Sequence, residues 1–280
     1  MKVAILLSGH VRTFENTHKN FYKKFINNLE DAGHEYDIYI STWTTDANND
    51  LLGGVSEQLV EVALDVEELE KKLNEIYDPR KIEIEPTPSN NYEKFTKISN
   101  SLKKKYPNLN NKIKSPKHAL LNSSKHIEGV LSQLYKIKKA YELVGNHDEY
   151  DVIVKYRFDV IVDDTVDWGD EEFIDGISTA LYLKTKNKKY PDGTNSWGDT
   201  IVMGPPGFMK YFCLSYDYIS DMNRELRLRN KPGGEVDIFT VTHVVNAVFA
   251  SENIRDKLCL YTEGTYQPFS SYVLRKGGVK

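Results

Sequence analysis

The fold is decided by residues 3–43, VAILLSGHVRTFENTHKNFYKKFINNLEDAGHEYDIYISTW. Val3 to Leu7 is a continuous apolar run, which is typical of a strand covered on both faces of its sheet. Apolar side chains then recur at helical spacing from Thr13 to Leu29, and Gly33 stands where a helix is expected to end. Tyr36 to Trp43 forms a second apolar strand. A strand, a helix and a strand within this length predict a parallel pair joined by a right-handed crossover.

The alternation of strands and helices continues along the chain and predicts an α/β fold, a mostly parallel sheet flanked by helices. Further predicted strands are Lys81 to Glu85, Asp151 to Tyr156, Leu181 to Lys184, Thr200 to Met203 and Leu258 to Tyr261. Further predicted helices are Leu59 to Ile76, Ser123 to Leu143, Met209 to Leu228 and Glu235 to Ala250. We expect one domain over residues 1–280, with residues 44–117 as a variable insertion. Residues 86–117 are rich in Asn, Lys, Ser and Pro, which predicts a long loop, either a solvated surface loop or a lid over a cleft.

The composition is that of an ordinary globular protein and excludes several classes. The chain has 280 residues, of which 40% are hydrophobic and 28% charged, so it can bury a core without a disulfide or metal staple. Its net charge of −4 argues against sequence-independent binding of nucleic acid. Cys213 and Cys259 are too few for a disulfide framework or a cysteine-based zinc site, and we expect them to be buried. No apolar run reaches the ~18 residues of a membrane span, which favours a soluble, cytoplasmic protein.

Polar, aromatic and charged residues follow three of the predicted strands. They are Ser8, Gly9, His10 and Arg12 after the first strand, Ser41, Thr42 and Trp43 at the end of the second, and Arg157 and Asp159 after DVIVKY. Ligands of open α/β sheets bind outside the carboxyl ends of the strands, so we expect these residues to meet in one cleft. Glycine lets the backbone approach a ligand closely. The planar fork of Arg12 suits a diphosphate, although a surface salt bridge is the alternative.

Arg157 and Asp159 are two residues apart on an extended segment, so their side chains are expected to project together. A carboxylate at this place can bind Mg²⁺ or Mn²⁺ while a nucleoside diphosphate supplies further oxygen ligands. The alternative is an Arg–Asp ion pair that closes the end of the strand.

Five short motifs carry a resemblance to a known family. They are LLSGHVRTF (6–14), DIYISTW (37–43), SQLYKIKKAYEL (132–143), DVIVKYRFD (151–159) and NSWGDTIVMGPPGFMKYF (195–212). Together they resemble nucleotide-sugar-dependent glycosyltransferases of the GT-A type. The likeness is greatest to polysaccharide and lipopolysaccharide biosynthesis enzymes of bacteria and large DNA viruses. Residues 44–117 lie outside it.

The resemblance implies a GT-A-like fold and transfer of a hexose or pentose from a UDP- or GDP-sugar donor to a hydroxyl of a glycan acceptor. It implies that the donor nucleotide is bound by Ser8, Gly9, Arg12, Gln133, Tyr135, Lys136 and Arg157. Such enzymes carry Asp-x-Asp as metal ligands where this chain has Arg157-Phe158-Asp159. The resemblance thus implies that Asp159 holds Mn²⁺ or Mg²⁺ alone, or that Arg157 replaces part of the metal's charge.

A transferase that inverts the anomeric centre needs a base for the proton of the acceptor hydroxyl. Glu235 and Asp237 follow Pro-Gly-Gly at the start of a predicted helix, and Asp199 follows Trp197-Gly198. These three carboxylates are the candidate bases, although one at a helix start also favours the helix dipole. Three other functions stay open: a nucleotidyltransferase, a non-catalytic glycan-binding protein, and a glycoside hydrolase built on two carboxylates.

Overall fold

The computed structural model of the chain describes residues 1–48, 60–86, 89–105, 124–162, 165–179, 181–183, 201–221, 241, 244–245, 248, 258–260 and 271–273. Its strands are β1 (Lys2–Gly9), β2 (Glu35–Trp43), β3 (Thr45–Asn48), β4 (Val60–Ala63), β5 (Lys81–Glu85), β6 (Val152–Tyr156), β7 (Val160–Val162), β8 (Leu181–Leu183), β9 (Ile201–Gly204), β10 (Leu258–Leu260) and β11 (Ser271–Val273).

The helices are α1 (Phe14–Phe21), which continues through a π-helical turn (Tyr22–Ile26) into α2 (Asn27–Asp31), then α3 (Val66–Tyr77), α4 (Ser89–Lys105), α5 (Ser124–Val144), a 3₁₀ turn (His147–Glu149), α6 (Glu171–Thr179), α7 (Pro206–Cys213) and α8 (Ser215–Ser220).

Seven of these strands form the main sheet in the order β5-β2-β1-β6-β9-β8-β10. The pairs β1–β2, β1–β6, β2–β5 and β8–β10 are parallel, and β9 runs antiparallel between β6 and β8. The predicted α/β fold with a mostly parallel sheet flanked by helices is therefore confirmed. The predicted parallel pairing of β1 with β2, with α1 and α2 between them in the chain, is also confirmed.

Alternate residues of β1 face two separate helix layers. Val3 and Ile5 pack with α1, α2, α3 and α6 on one side. Ala4 and Leu6 pack with α4, α5, α7 and α8 on the other. Because both faces are covered, β1 needs apolar side chains at every position, and this explains the continuous run in its sequence.

Three helix or loop predictions differ from the structure. Val60–Ala63 is a strand paired with β3, because its alternating Val and Glu suit a hairpin, and the helix starts only at Val66 after its cap Asp65. The segment predicted as a loop after Pro86 holds α4, whose Phe95, Ile98 and Leu102 recur at helical spacing and are buried in the core. The helix predicted from Met209 begins earlier and is interrupted at Leu214.

Candidate functional site

The order of the strands reverses its direction between β1 and β6. From β1 the chain moves outward to β2 and β5 through helices on one face, and it returns to β6 through α5 on the other face. The direction of winding therefore reverses between β1 and β6. In open α/β sheets, the crevice outside the carboxyl ends of the strands at such a reversal is where ligands bind.

Three charged side chains meet at this edge. Asp159 follows β6, and its Oδ1 accepts a hydrogen bond from Nε of Arg157 at 2.9 Å. Its Oδ2 accepts from Nη2 of Arg157 at 2.9 Å and from Nη1 of Arg12 at 2.7 Å. Arg157 thus forms the two-pronged contact expected from side chains that project together, and Arg12 joins the pair from the turn after β1. We call Arg12, Arg157 and Asp159 the arginine–aspartate cluster.

The cluster is buried unequally. The Asp159 side chain is only 2% exposed, whereas those of Arg12 and Arg157 are 17% and 15% exposed. Burial by itself would raise the pKa of Asp159, but the charges of Arg157 and Arg12 and their hydrogen bonds outweigh it and hold that pKa well below its usual range. The carboxylate is therefore ionised, and the cluster has one net positive charge near the surface.

The backbone after β1 is held in an uncommon conformation. Gly9 has a φ of 102° and Arg12 a φ of 45°. A positive φ is easy for glycine and costly for arginine, and such residues are concentrated at functional sites. The hydroxyl of Thr42, at the end of β2, donates to the carbonyl oxygen of Gly9 at 2.7 Å and ties the two strand ends together. Among the described residues, apart from Gly9 and its two neighbours in the chain, no atom lies within 4 Å of where a Cβ on Gly9 would stand.

The helix after β1 fixes the segment that carries Asp159. Thr17 on α1 donates from its hydroxyl to the carbonyl oxygen of Phe158. Asn20 exchanges two hydrogen bonds with the backbone of Val162, at 2.7 and 2.9 Å. Both contacts join residues that are distant in sequence, so the position of Asp159 depends on the docking of α1.

Ser8 lies at the same edge, on the face of β1 covered by α5. Its side-chain oxygen is buried and has no hydrogen-bond partner among the residues that the structure describes. A buried hydroxyl without a partner is costly unless water or a ligand satisfies it.

Lys136 lies one strand away, at the carboxyl ends of β2 and β5. It is 0% exposed, and its Nζ lies 2.6 Å from Oε2 of Glu85, 3.3 Å from Oγ of Ser41 and 4.1 Å from the ring centre of Trp43. Burial lowers the pKa of Lys136 to about 8, against the opposing charge of Glu85. In the structure Lys136 thus holds α5 to the sheet. Tyr135 stacks on Trp43 with ring centres 5.8 Å apart.

Tyr135 also donates to Oε1 of Glu85 at 3.2 Å. Gln133 is half-buried two residues earlier on the same helix. The nucleotide-binding residues implied by the resemblance therefore fall in two groups: Ser8, Gly9, Arg12 and Arg157 beside β1 and β6, and Gln133, Tyr135 and Lys136 on α5. Their roles stay predictions.

Two polar residues of this edge are not predicted by the sequence. Lys155 is fully buried on β6, two residues before Arg157, and a lysine inside the apolar strand VIVKY was a visible signal for it. Glu85 had no such signal, because only the parallel pairing of β2 with β5 and the docking of α5 bring it to Lys136. Ser41, which the sequence places at the end of the second strand, also contacts Lys136.

The described residues do not fit a divalent cation at Asp159. Both of its carboxylate oxygens already accept hydrogen bonds from guanidinium groups. Over the described ranges, no group of three His, Cys, Asp or Glu side chains could hold a metal ion. Mg²⁺ and Mn²⁺ prefer several hard oxygen ligands. Among the described residues Asp159 is the one carboxylate bound to Arg12 and Arg157, and these two guanidinium groups repel a further positive charge.

The three candidate bases, Asp199, Glu235 and Asp237, lie outside the described residues. Of the helix predicted over Glu235 to Ala250, Val241, Val244, Val245 and Val248 are described, and all four are helical and buried. Within the part of the chain that the structure covers, no helix is long and apolar enough to cross a membrane.

Comparison with known proteins gives no family assignment. No protein-family model and no curated protein matches the chain. Among solved structures, the apo crystal structure of mouse xyloside xylosyltransferase 1 is similar over 91% of this chain and 82% of that one, with a TM-score of 0.38 and 9% sequence identity. A similarity of this size identifies neither a family nor an activity, so the functional proposal rests on the residues of this chain.

Proposed function

We propose that this protein is a glycosyltransferase that moves a sugar from a nucleoside-diphosphate donor, UDP- or GDP-linked, to a hydroxyl of a glycan. The observation that carries the proposal is the arginine–aspartate cluster at the winding reversal between β1 and β6. The planar fork of a guanidinium group matches the geometry of phosphate oxygens, so two such groups together suit a diphosphate. The sequence motifs that flank the cluster supply the sugar-transfer part of the proposal.

In the proposed reaction, the acceptor hydroxyl oxygen forms a bond to the anomeric carbon, and the bond from that carbon to the β-phosphate oxygen breaks. The hydroxyl proton passes to a carboxylate if the reaction inverts, or to the departing diphosphate if it retains, and the nucleoside diphosphate leaves with the bonding electrons. Arg12 and Arg157 would stabilise the charge that develops on the departing diphosphate. Gly9 would allow the backbone to approach the phosphates, and the Ser8 hydroxyl would gain a partner.

The first test is a thermal-shift screen of UDP, GDP, CMP and their sugar conjugates. A ligand at 100 times its dissociation constant should stabilise the fold by about 2.7 kcal/mol. Arg157→Gln should weaken binding of the active nucleotide about tenfold or more, because a hydrogen bond to a charged group contributes about 1.5–3 kcal/mol. In this variant Arg12 still neutralises Asp159, so the fold should survive.

Arg80→Gln is the matched control, because Arg80 forms an Arg–Asp pair with Asp37 at the opposite, amino-terminal edge of the sheet. It should leave nucleotide binding unchanged. Turnover is then followed with the donor that binds and a mixture of glycan acceptors, with separate assays for nucleoside diphosphate and pyrophosphate. Release of pyrophosphate would favour a nucleotidyltransferase. Absence of any shift with any nucleotide would overturn the proposal.

A further inference from the structure

We infer that the arginine–aspartate cluster binds the donor diphosphate without a divalent cation, and that Asp159 is a positioning residue rather than a metal ligand. This inference rests on the proposed function and concerns how the same site recognises its ligand. It differs from the metal site that the family resemblance implies, and the geometry around Asp159 supplies the reason.

Both carboxylate oxygens of Asp159 already accept hydrogen bonds. Oδ2 accepts from both arginines, at 2.7 Å and 2.9 Å, and Oδ1 accepts from Nε of Arg157 at 2.9 Å. Mg²⁺ bound directly to either oxygen would approach at about 2.0–2.1 Å and would displace or crowd a guanidinium donor. It would also bring two positive charges beside the two guanidinium groups, and Asp159 is the one carboxylate that contacts these groups among the described residues.

The side chain of Asp159 is buried more deeply than those of the two arginines. Asp159 is 2% exposed, whereas each arginine keeps a part of its side chain at the surface of the cluster. A ligand arriving at the crevice meets the guanidinium groups before it meets the carboxylate. The exposed charge of the cluster is therefore positive, which suits an anion and disfavours a cation.

Local contacts and backbone conformation hold the two arginines in place. Arg157 is fixed at two nitrogens by the one carboxylate, and Arg12 is fixed at a turn with an uncommon φ of 45°. A guanidinium that is already ordered loses little side-chain entropy when it binds phosphate oxygens. Asp159 thus orders two cationic groups. These groups can offer a diphosphate the positive charge that a metal ion would otherwise supply.

The test measures binding of UDP and GDP to the full-length protein by calorimetry in three buffers: with EDTA, with Mg²⁺ and with Mn²⁺. The inference predicts dissociation constants that agree within about twofold across the three buffers. This measurement needs no variant, so a misfolded mutant cannot obscure the result. A second measurement titrates Mn²⁺ alone and follows the free ion by electron paramagnetic resonance, with no uptake expected at stoichiometric concentration.

Two variants then separate the roles of the cluster. Arg157→Lys keeps the charge but loses the two-pronged contact, and it should weaken UDP or GDP binding about tenfold in every buffer. Asp159→Asn should weaken binding to the same extent with EDTA and with Mn²⁺, because its effect acts through the arginines. Arg80→Gln should bind as the wild type does, which separates a local effect from a general one.

The outcomes distinguish this inference from the proposed function. Binding that requires Mn²⁺ and disappears in Asp159→Asn would overturn the inference and leave the glycosyltransferase proposal standing. Absence of UDP and GDP binding in all three buffers would overturn both. Equal binding with and without metal, weakened in Arg157→Lys, would support both.

Discussion

Replacing Asp159 by Asn should destabilise the protein strongly, although the two side chains have nearly the same shape. The substitution removes the one negative charge between Arg12 and Arg157 and leaves two guanidinium groups around a neutral amide. The structure gives Asp159 three charge-assisted hydrogen bonds, at 2.7, 2.9 and 2.9 Å. At about 1.5–3 kcal/mol each the three bonds would contribute about 4.5–9 kcal/mol, which is an upper bound.

Partial exposure of the arginines lowers this figure, because water can solvate them when the carboxylate is gone. Removing one partner of a buried ion pair typically costs about 3–5 kcal/mol, and we expect a value in this range. For a chain of this size it corresponds to a fall of roughly 10 °C in melting temperature. Chemical denaturation followed by circular dichroism measures the free energy of unfolding directly.

Asp37→Asn is the matched control. Asp37 also accepts hydrogen bonds from an arginine and from a further donor, Arg80 at 2.8 Å and the Tyr150 hydroxyl at 2.6 Å, but its side chain is 24% exposed. Asp37→Asn should therefore lower the free energy of unfolding by only about 1 kcal/mol. Adding Arg157→Gln to Asp159→Asn should recover part of the lost stability, because it removes one of the two unbalanced cations. If Asp159→Asn lowers the free energy of unfolding by less than 1 kcal/mol, the view that this carboxylate holds the cluster together is refuted.

The same carboxylate predicts how stability depends on pH. The pKa of Asp159 is lower in the folded state than its ordinary value of 3.8. The unfolded state therefore takes up the proton first, and the stabilisation is fully present above about pH 5 and is lost progressively as the pH falls below that value. The gap in unfolding free energy between the wild type and Asp159→Asn should narrow between pH 5 and pH 2 in denaturant titrations.

Three further predictions concern other parts of the site and the core. Gly9→Ala should cost about 1–2 kcal/mol in unfolding free energy, since alanine is strained at a φ of 102°, and should weaken nucleotide binding in calorimetry, because its Cβ projects into the space that a ligand would occupy. If Gly9→Ala binds the nucleotide with wild-type affinity, this would contradict a close approach of the nucleotide to the backbone of Gly9. The stability of the wild type relative to Lys136→Met should increase by about 2 kcal/mol between pH 8 and pH 10, because the folded state releases the Lys136 proton near pH 8 and the unfolded state near 10.5. A pH-independent difference in denaturation midpoint would show that Lys136 titrates normally. Finally, Cys213 is fully buried and burial raises the pKa of its thiol, so its labelling by iodoacetamide at pH 8, mapped by mass spectrometry, should be at least a hundredfold slower in native than in unfolded protein.

Much of the fold followed from local patterns. The apolar run of β1, the helical spacing from Thr13 to Leu29 and the strand before Trp43 each have a period that one segment can display without help from the rest of the chain. The pairing of Arg157 with Asp159 was also accessible, because side chains two residues apart on an extended segment project together. The helix within residues 86–105 was predicted as a loop, because its polar positions and a proline outweighed three core residues at helical spacing.

The sequence by itself determined the α/β class, the first βαβ unit and the residue types that end its strands. Only the tertiary structure decided what these residues do to one another. Arg12 and Asp159 are separated by 147 positions, and they meet because β6 pairs with β1 and Thr17 fixes the segment after β6. Glu85 reaches Lys136 for the same kind of reason, the pairing of β5 with β2. Periodicity reports which face of its own element a side chain occupies, whereas charge pairing depends on which elements become neighbours, and long-range packing alone sets that.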